Sequence, residues 1–456
     1  MRAAGKPRRA SADNRRPTPL HPHVKSIRLR PGKERSLQRR HPWVFAGSIA
    51  KGAADPGETV RVEAHDGSFL AWGAYSPASA IRVRAWSFVE AERIDAAFFA
   101  QRVQQAVALR ARLAVPSDAV RLVHGEADGL PGLVVDRYGD CLSAQFLFAG
   151  SERWKGAIAD ALLAATGLAR LYERSDAAVR TLGGLAMHSG WLRGDGDTQI
   201  SMREHDWQLR VDVALGHKTG YYLDQRDNRL HFARAVRHFG CAEVLNCYAY
   251  TGGFTLAALA GGATQVTSVD SSAPALELAR RHVQLNGFAA EKHQTVDADV
   301  NATLRASLEQ GRRYDAIVLD PPKFAPTAAQ AERAARAYKD INRLALKLLR
   351  PGGLLFTFSC SGGIGPELFH KIDAGAGIDA GVDAAIVQRL AASPDHPATR
   401  IVLSRRRLPE GAGAAARCVR RLTRARIPKS DTIDRPVPAP CRHSARGTGG
   451  GNAAVD

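Results

Sequence analysis

Cysteine is scarce in this chain. Six residues (Cys141, Cys241, Cys247, Cys360, Cys418 and Cys441) are scattered over 456 positions without a Cys-x-x-Cys pair. A disulfide scaffold and a thiolate zinc site are disfavoured, so no metal and a reducing cytoplasm are expected. Long apolar runs are also lacking. None approaches ~18 residues, so neither a transmembrane helix nor a membrane partner is expected. The basic stretch from Met1 to Pro17 has no apolar segment behind it, which argues against a secretory leader. The dinucleotide fingerprint Gly-x-Gly-x-x-Gly is missing as well, and NAD loses ground to other adenosine-bearing cofactors.

Positive charge is abundant, with a net +19. Residues 1–40 carry +11 and residues 400–456 carry +9, which leaves the body at about −1. Basic ends fit contact with RNA or phosphate, although a basic tail is often only solvated.

The chain divides by pattern. Residues 1–23 lack apolar periodicity and read as a disordered basic terminus. Residues 24–90 read as a small β-barrel. Val60, Val62 and Ala64 alternate with polar residues, Asp66-Gly67 marks a hairpin, and Ile81, Val83 and Ala85 alternate again. Trp43, Trp72 and Trp86 read as core residues in preference to base-stacking ones. Residues 91–200 form a small α+β unit. Asp95 caps a helix with Phe99, Val103, Ala106 and Val107 on one face, and strands follow at 133–136, 142–148 and 169–173. Residues 201–397 alternate buried strands (243–247, 265–270, 314–320 and 354–360) with helices, the doubly wound α/β pattern.

Three strand ends carry the chemistry. Val244-Leu245-Asn246-Cys247 runs into Tyr248-Ala249-Tyr250-Thr251-Gly252-Gly253 and an apolar helix, a turn where a ligand can approach the backbone. The next strand ends at Asp270, placed to bind both hydroxyls of a ribose. A later strand delivers Asp320-Pro321-Pro322-Lys323-Phe324, a stiff loop whose Phe324 could stack on a flat ring. Phe358-Ser359-Cys360-Ser361 ends the neighbouring strand. A cysteine there sits at a mouth and reads as a nucleophile, whereas Cys247 reads as packing beneath the cofactor.

Asp-Pro-Pro with an aromatic resembles the fourth motif of S-adenosylmethionine-dependent nucleic-acid methyltransferases. Over residues 24–397 the resemblance is closer, to the ribosomal RNA large subunit methyltransferase I family of 23S rRNA (cytosine-5) enzymes. It rests on His41-Pro42-Trp43-Val44-Phe45-Ala46-Gly47 and Gly73-Ala74-Tyr75-Ser76-Pro77 of a PUA domain. It rests also on Gly125-Glu126-Ala127-Asp128-Gly129-Leu130-Pro131-Gly132 and on Gly216-His217-Lys218-Thr219-Gly220-Tyr221-Tyr222-Leu223-Asp224-Gln225-Arg226. The resemblance implies a class I methyltransferase (Rossmann-like) domain behind a PUA-type barrel and a small α+β domain. It implies S-adenosylmethionine as cofactor, 23S rRNA as partner, and leaves room for a homodimer.

Cytosine C5 is a poor nucleophile, and a thiolate adding at C6 makes it carbanion-like. On that mechanism Cys360 is the nucleophile, and Asp320 holds the protonated N3 edge of an extruded base against Pro321, Pro322 and Phe324. Asp270 binds the cofactor ribose and Asp299 its adenine amino group. Asn246, Tyr250, Thr251 and Gly252 line its methionine end. Tyr222 and Arg226, at i, i+4 spacing, face the cofactor or form a structural helix face. Many RNA cytosine-5 enzymes carry a second Cys beside the Asp-Pro motif. Here Pro stands there, so another group must assist product release. Two other functions compete: an exocyclic-amine methyltransferase, which needs no Cys360, and an RNA-binding protein whose catalytic domain is impaired.

The resemblance fails after Asp395-His396-Pro397. Relatives close their sheet with a hairpin strand of the Pro-Glu-Gly-x-Tyr-Leu-Lys-Gly type. Here Pro409-Glu410-Gly411 is followed by Ala-Gly-Ala-Ala-Ala in its place. Residues 398–456 are therefore expected to be an out-of-frame or degenerate basic tail that leaves a sheet edge unpaired.

Overall fold

The computed structural model describes residues 24–324, 330–397 and, as backbone alone, 415–421. The basic start 1–23 and most of the tail lie outside the described residues. The alternation at Val60 and Val62 builds Thr59–Glu63, which pairs antiparallel with Phe69–Tyr75 across the expected Asp66-Gly67 turn. These strands belong to a six-stranded sheet. Trp72 and Trp86 are buried in the core, as expected. Trp43 is half-buried, and its indole N–H donates to Glu126 at 2.8 Å.

Asp95 caps the helix Ala96–Leu113 through Phe98 N–H at 3.1 Å. That helix packs beside a five-stranded sheet containing Ala119–His124, Leu133–Tyr138, Cys141–Phe146, Arg170–Ser175 and His188–Arg193. A hairpin, Gln199–Glu204 with Trp207–Asp212, spans residue 200. The sequence boundary drawn there therefore cuts through a paired unit.

The C-terminal sheet is built from β1 (Glu243–Cys247), β2 (Gln265–Asp270), β3 (His293–Asp297), β4 (Tyr314–Leu319), β5 (Leu349–Ser359), β6 (Ala384–Leu390) and β7 (Ala415–Arg421). Their spatial order is β3-β2-β1-β4-β5-β7-β6. The first five are parallel, and β7 runs antiparallel to both β5 and β6. The central strands are apolar throughout because both faces are covered. Val244, Val266, Val318 and Phe356 point into one core with Phe232 and Leu256. Leu245, Val269, Ile317 and Leu355 point into the other with Tyr338 and Phe369.

Strand β7 corrects the expectation of an open edge. Ala415–Arg421 fills the gap between β5 and β6, from Ser359↔Ala415 to Leu354↔Arg420. The segment Ala-Ala-Arg-Cys-Val-Arg-Arg lacks the alternation that advertises a strand. The unpaired N–H and C=O groups of β5 supply what the pattern does not.

Candidate active site

The carboxyl ends of β1, β2, β4 and β5 lie side by side. The pairs Cys247↔Val269, Cys247↔Leu319 and Leu319↔Thr357 set that alignment. Consequently the turn after β1, Asp270, Asp320 and Cys360 open onto one edge, where open α/β sheets bind their ligands.

The turn after β1 is tightly wound. Tyr248 (φ 57°) and Tyr250 (φ 47°) hold left-handed conformations unusual for such side chains, and Gly252 (φ 81°) begins helix α1 (Gly253–Gly261). The carboxylate of Asp270 braces this turn. Its Oδ2 accepts Tyr250 N–H at 2.8 Å and its Oδ1 accepts Ser272 N–H at 3.0 Å. Each oxygen keeps a further lone pair for a hydroxyl donor. Thr251 is buried, and its Oγ1 has no partner among the described residues, an orphaned polar atom at the mouth of the turn. This donor set fits an adenosyl cofactor with a polar amino-acid end. Asp299 caps the helix Val300–Glu309 through Ala302 N–H at 2.8 Å and stays exposed at the same edge, after β3.

Asn246 sits deeper than the sequence suggested. It is 1% exposed and donates to Thr255 Oγ1 at 3.0 Å, in a chain that continues to Ser268 at 2.7 Å. It supports the turn from below. Cys247 is also buried, and burial pushes its thiol up, consistent with packing.

The nucleophile side is built on Asp320 and Cys360. Cys360 is half-buried, with its Sγ donating to Pro321 C=O at 3.6 Å. Burial and the Asp320 carboxylate push its thiol up to about 11, opposed by Lys218 and Lys323. Asp320 is pushed up to about 7 by burial and by Asp224. Gln225 Nε2 donates to its Oδ1 at 3.2 Å, and Asn228 orients Gln225 through its Oε1 at 2.6 Å. Pro321 is buried and Pro322 exposed. Phe324 leans on Tyr338 with centroids 4.8 Å apart, and the Tyr338 hydroxyl meets Ser361 at 3.0 Å.

In the Gly216–Arg226 string, the shared helix face expected of Tyr222 and Arg226, and the cofactor-facing role expected of Arg226, are corrected. Tyr222 (φ −97°, ψ 80°) precedes the helical turn Leu223–Gln225, so it shares no helix face with Arg226. Arg226 does not face the cofactor. It is fully buried, and it forks onto Asp395 at 2.7 and 3.1 Å. A guanidinium excluded from water needs a carboxylate, and Asp395 supplies it from 169 positions away. Tyr222 meets Tyr250 of the cofactor turn edge-on at 5.6 Å, and burial, Asp320, Tyr250 and Cys360 push its hydroxyl up.

Sequence reasoning assigned no role to Lys218, Gln225 or the middle domain. Their only signal was the unbroken resemblance of the string. The structure ties that string to the middle domain. Asp136 accepts from Thr219 Oγ1 at 2.5 Å and is forked by Arg121 at 2.7 and 2.8 Å. Tyr138 accepts Tyr221 N–H at 3.0 Å. Among the described residues no His, Cys, Asp and Glu cluster could hold a metal, and no helix is long and apolar enough to cross a membrane.

Comparison with known proteins agrees with this architecture. Residues 27–88 match the PUA-like domain family, and residues 185–404 match the S-adenosylmethionine-dependent methyltransferase family. Ribosomal RNA large subunit methyltransferase I of Salmonella arizonae is 47% identical over 381 residues, 82% of this chain and 94% of that protein. Its Klebsiella pneumoniae counterpart is 48% identical over 374 residues, covering 81% and 93%. Among solved structures, a candidate SAM-dependent methyltransferase from Streptococcus mutans shares the fold. Its TM-score is 0.73 at 20% identity, over 87% of this chain and all of that one. Both domain matches and the extent of these identities place the chain in the ribosomal RNA large subunit methyltransferase I family of S-adenosylmethionine-dependent methyltransferases.

Proposed function

We propose that this chain methylates C5 of a cytosine in large-subunit (23S) ribosomal RNA, in the cytoplasm, with Cys360 as nucleophile. The observation that carries the reading is the seating of the half-buried Cys360 thiol against the loop that begins at Asp320, at one sheet edge, with burial pushing the Asp320 carboxyl up. An acid near 7 is available in its neutral form and can give a proton to cytosine N3. That proton draws electrons from C6. The Cys360 sulfur bonds to C6, and the ring electron pair moves to C5. S-adenosylmethionine, when bound, supplies the electrophilic methyl group that C5 takes. Asp270 would hold its ribose and Asp299 its adenine. Thr251 and Gly252 would take its methionine end, with Tyr250 fixing the turn. The C5 proton then leaves, the C6–S bond breaks with sulfur departing as the Cys360 thiolate, and N3 returns its proton to Asp320. Pro321, Pro322 and Phe324 wall the place where the extruded base enters.

The test is incubation of the protein with labelled cofactor and unmodified large-subunit rRNA, followed by nucleoside analysis. 5-Methylcytidine is the expected product. Cys360→Ala should abolish transfer while leaving cofactor affinity intact. An N-methylated nucleoside formed by Cys360→Ala at the unaltered rate would show an exocyclic-amine enzyme instead.

A further inference from the structure

Thiolate chemistry at C6 leaves one proton unaccounted for. After methylation, C5 carries both the methyl group and its original hydrogen, and a base must remove that hydrogen before sulfur can depart. Residue 321, beside Asp320, is proline, so no second thiol stands there. Asp320 serves N3, which is not adjacent to C5 in the ring. Lys218 and Lys323 are cations without a lone pair to offer. Tyr338 is buried and engaged with Ser361. Asp224 is held below the ordinary carboxylate range. Burial would raise it, but Lys218, His396, Arg121 and Arg229 outweigh that, and the result is a weak base.

Tyr222 and His217 are placed differently. The Tyr222 hydroxyl lies 3.3 Å from His217 Nδ1. The His217 ring stacks on Tyr250 at 4.5 Å, and Tyr250 is the turn residue whose N–H is held by Asp270. Tyr222 also meets Tyr250 edge-on at 5.6 Å, and Lys218 Nζ covers its ring at 4.3 Å. Three residues on, Gln225 Nε2 reaches Asp320 Oδ1 at 3.2 Å, and burial, Asp320, Tyr250 and Cys360 together raise the Tyr222 hydroxyl. The pair thus stands beside the cofactor turn, within electrostatic reach of the nucleophile. On the Cys360 reading C5 lies in that interval, because it faces the methyl donor while its neighbour C6 faces the sulfur. His217 is exposed at the outer end, open to water.

We propose that Tyr222 and His217 act together as the base that removes the C5 proton and so releases the product. This rests on the Cys360 reading above. The Tyr222 oxygen takes the proton from C5 as its own hydroxyl proton passes to His217 Nδ1. The C–H electron pair forms the C5–C6 double bond, the C6–S bond breaks, and sulfur leaves as the Cys360 thiolate. The His217 imidazolium then loses its extra proton to water. Burial and the neighbouring Asp320 keep the phenol protonated, so Tyr222 relays the proton and does not store it.

Tyr222→Phe and His217→Ala test this, with turnover and the denaturant-stable protein–RNA adduct as paired readouts. Tyr222→Phe should slow turnover ~10²-fold or more and accumulate labelled methyl in the adduct. His217→Ala, at an exposed position, should slow turnover less, and added imidazole should restore it. RNA containing 5-fluorocytosine, which has no C5 proton to lose, provides the control. Wild type should form a Cys360-dependent adduct with it. Absence of that adduct overturns the thiolate reading and this inference with it. A normal fluorocytosine adduct, combined with wild-type turnover of Tyr222→Phe or slow turnover without accumulated adduct, overturns the relay alone.

Discussion

The opposed protonation states of Asp320 and Cys360 make a quantitative prediction. The competent form carries a proton on Asp320, pushed up to about 7, and none on Cys360, pushed up to about 11. That is the reverse of the resting order, and the four-unit gap leaves ~1 molecule in 10⁴ competent. Below pH 7 Asp320 is neutral and thiolate falls tenfold per pH unit, so kcat/KM falls likewise. Between 7 and 11 the gain in thiolate is cancelled by the loss of neutral Asp320, and the profile is flat. These breaks belong to the coupled pair. Asp320→Asn removes the titrating acid and the charge that raises Cys360. The break near 7 should vanish, and the profile should climb with unit slope to a thiol pKa below 11. An amide can hydrogen-bond N3 but cannot protonate it, so the rate should drop ~10²–10⁴-fold. The assay is initial-rate methylation of unmodified rRNA across the pH range in which the protein stays folded. A wild-type profile without a break near 7, or an Asp320→Asn profile that keeps it, refutes the assignment.

Asp395→Ala should destabilise the fold by ~3–5 kcal/mol in urea unfolding, because it removes the two-oxygen partner of the buried Arg226 guanidinium and leaves only Asp227 among the described residues, 3.4 Å from its Nε, as a carboxylate neighbour. A loss below ~1 kcal/mol would mean that Asp227 or water compensates the guanidinium once Asp395 is gone. Stability should also fall on acidification. Burial pushes His124 down to about 3 and His293 down to about 4, whereas the unfolded chain keeps both near the ordinary 6.5. Between those values the unfolded state binds more protons, so stability present above 6.5 is lost as pH falls towards 4. A urea midpoint that is flat across that window would contradict the burial of these rings.

Much of the molecule is legible in one dimension, because short-range rules determine it. Apolar strands buried on both faces, the glycine-containing turn after Cys247 and the proline-stopped strand at Asp320 all announce themselves within a few residues. From their order alone it follows that Asp270, Asp320 and Cys360 sit at carboxyl ends of one sheet. Tertiary structure decided what depends on distant partners. Arg226 looked like a cofactor ligand until Asp395 claimed it, and Asn246 looked like lining until Thr255 did. Residues 415–421 looked structureless until the open edge of β5 paired with them. Tyr222 shares no helix face with Arg226 because the backbone turns before the helix begins. A buried charge or an unpaired peptide group takes whichever partner the fold brings within reach, and spacing along the chain cannot reveal which one that is.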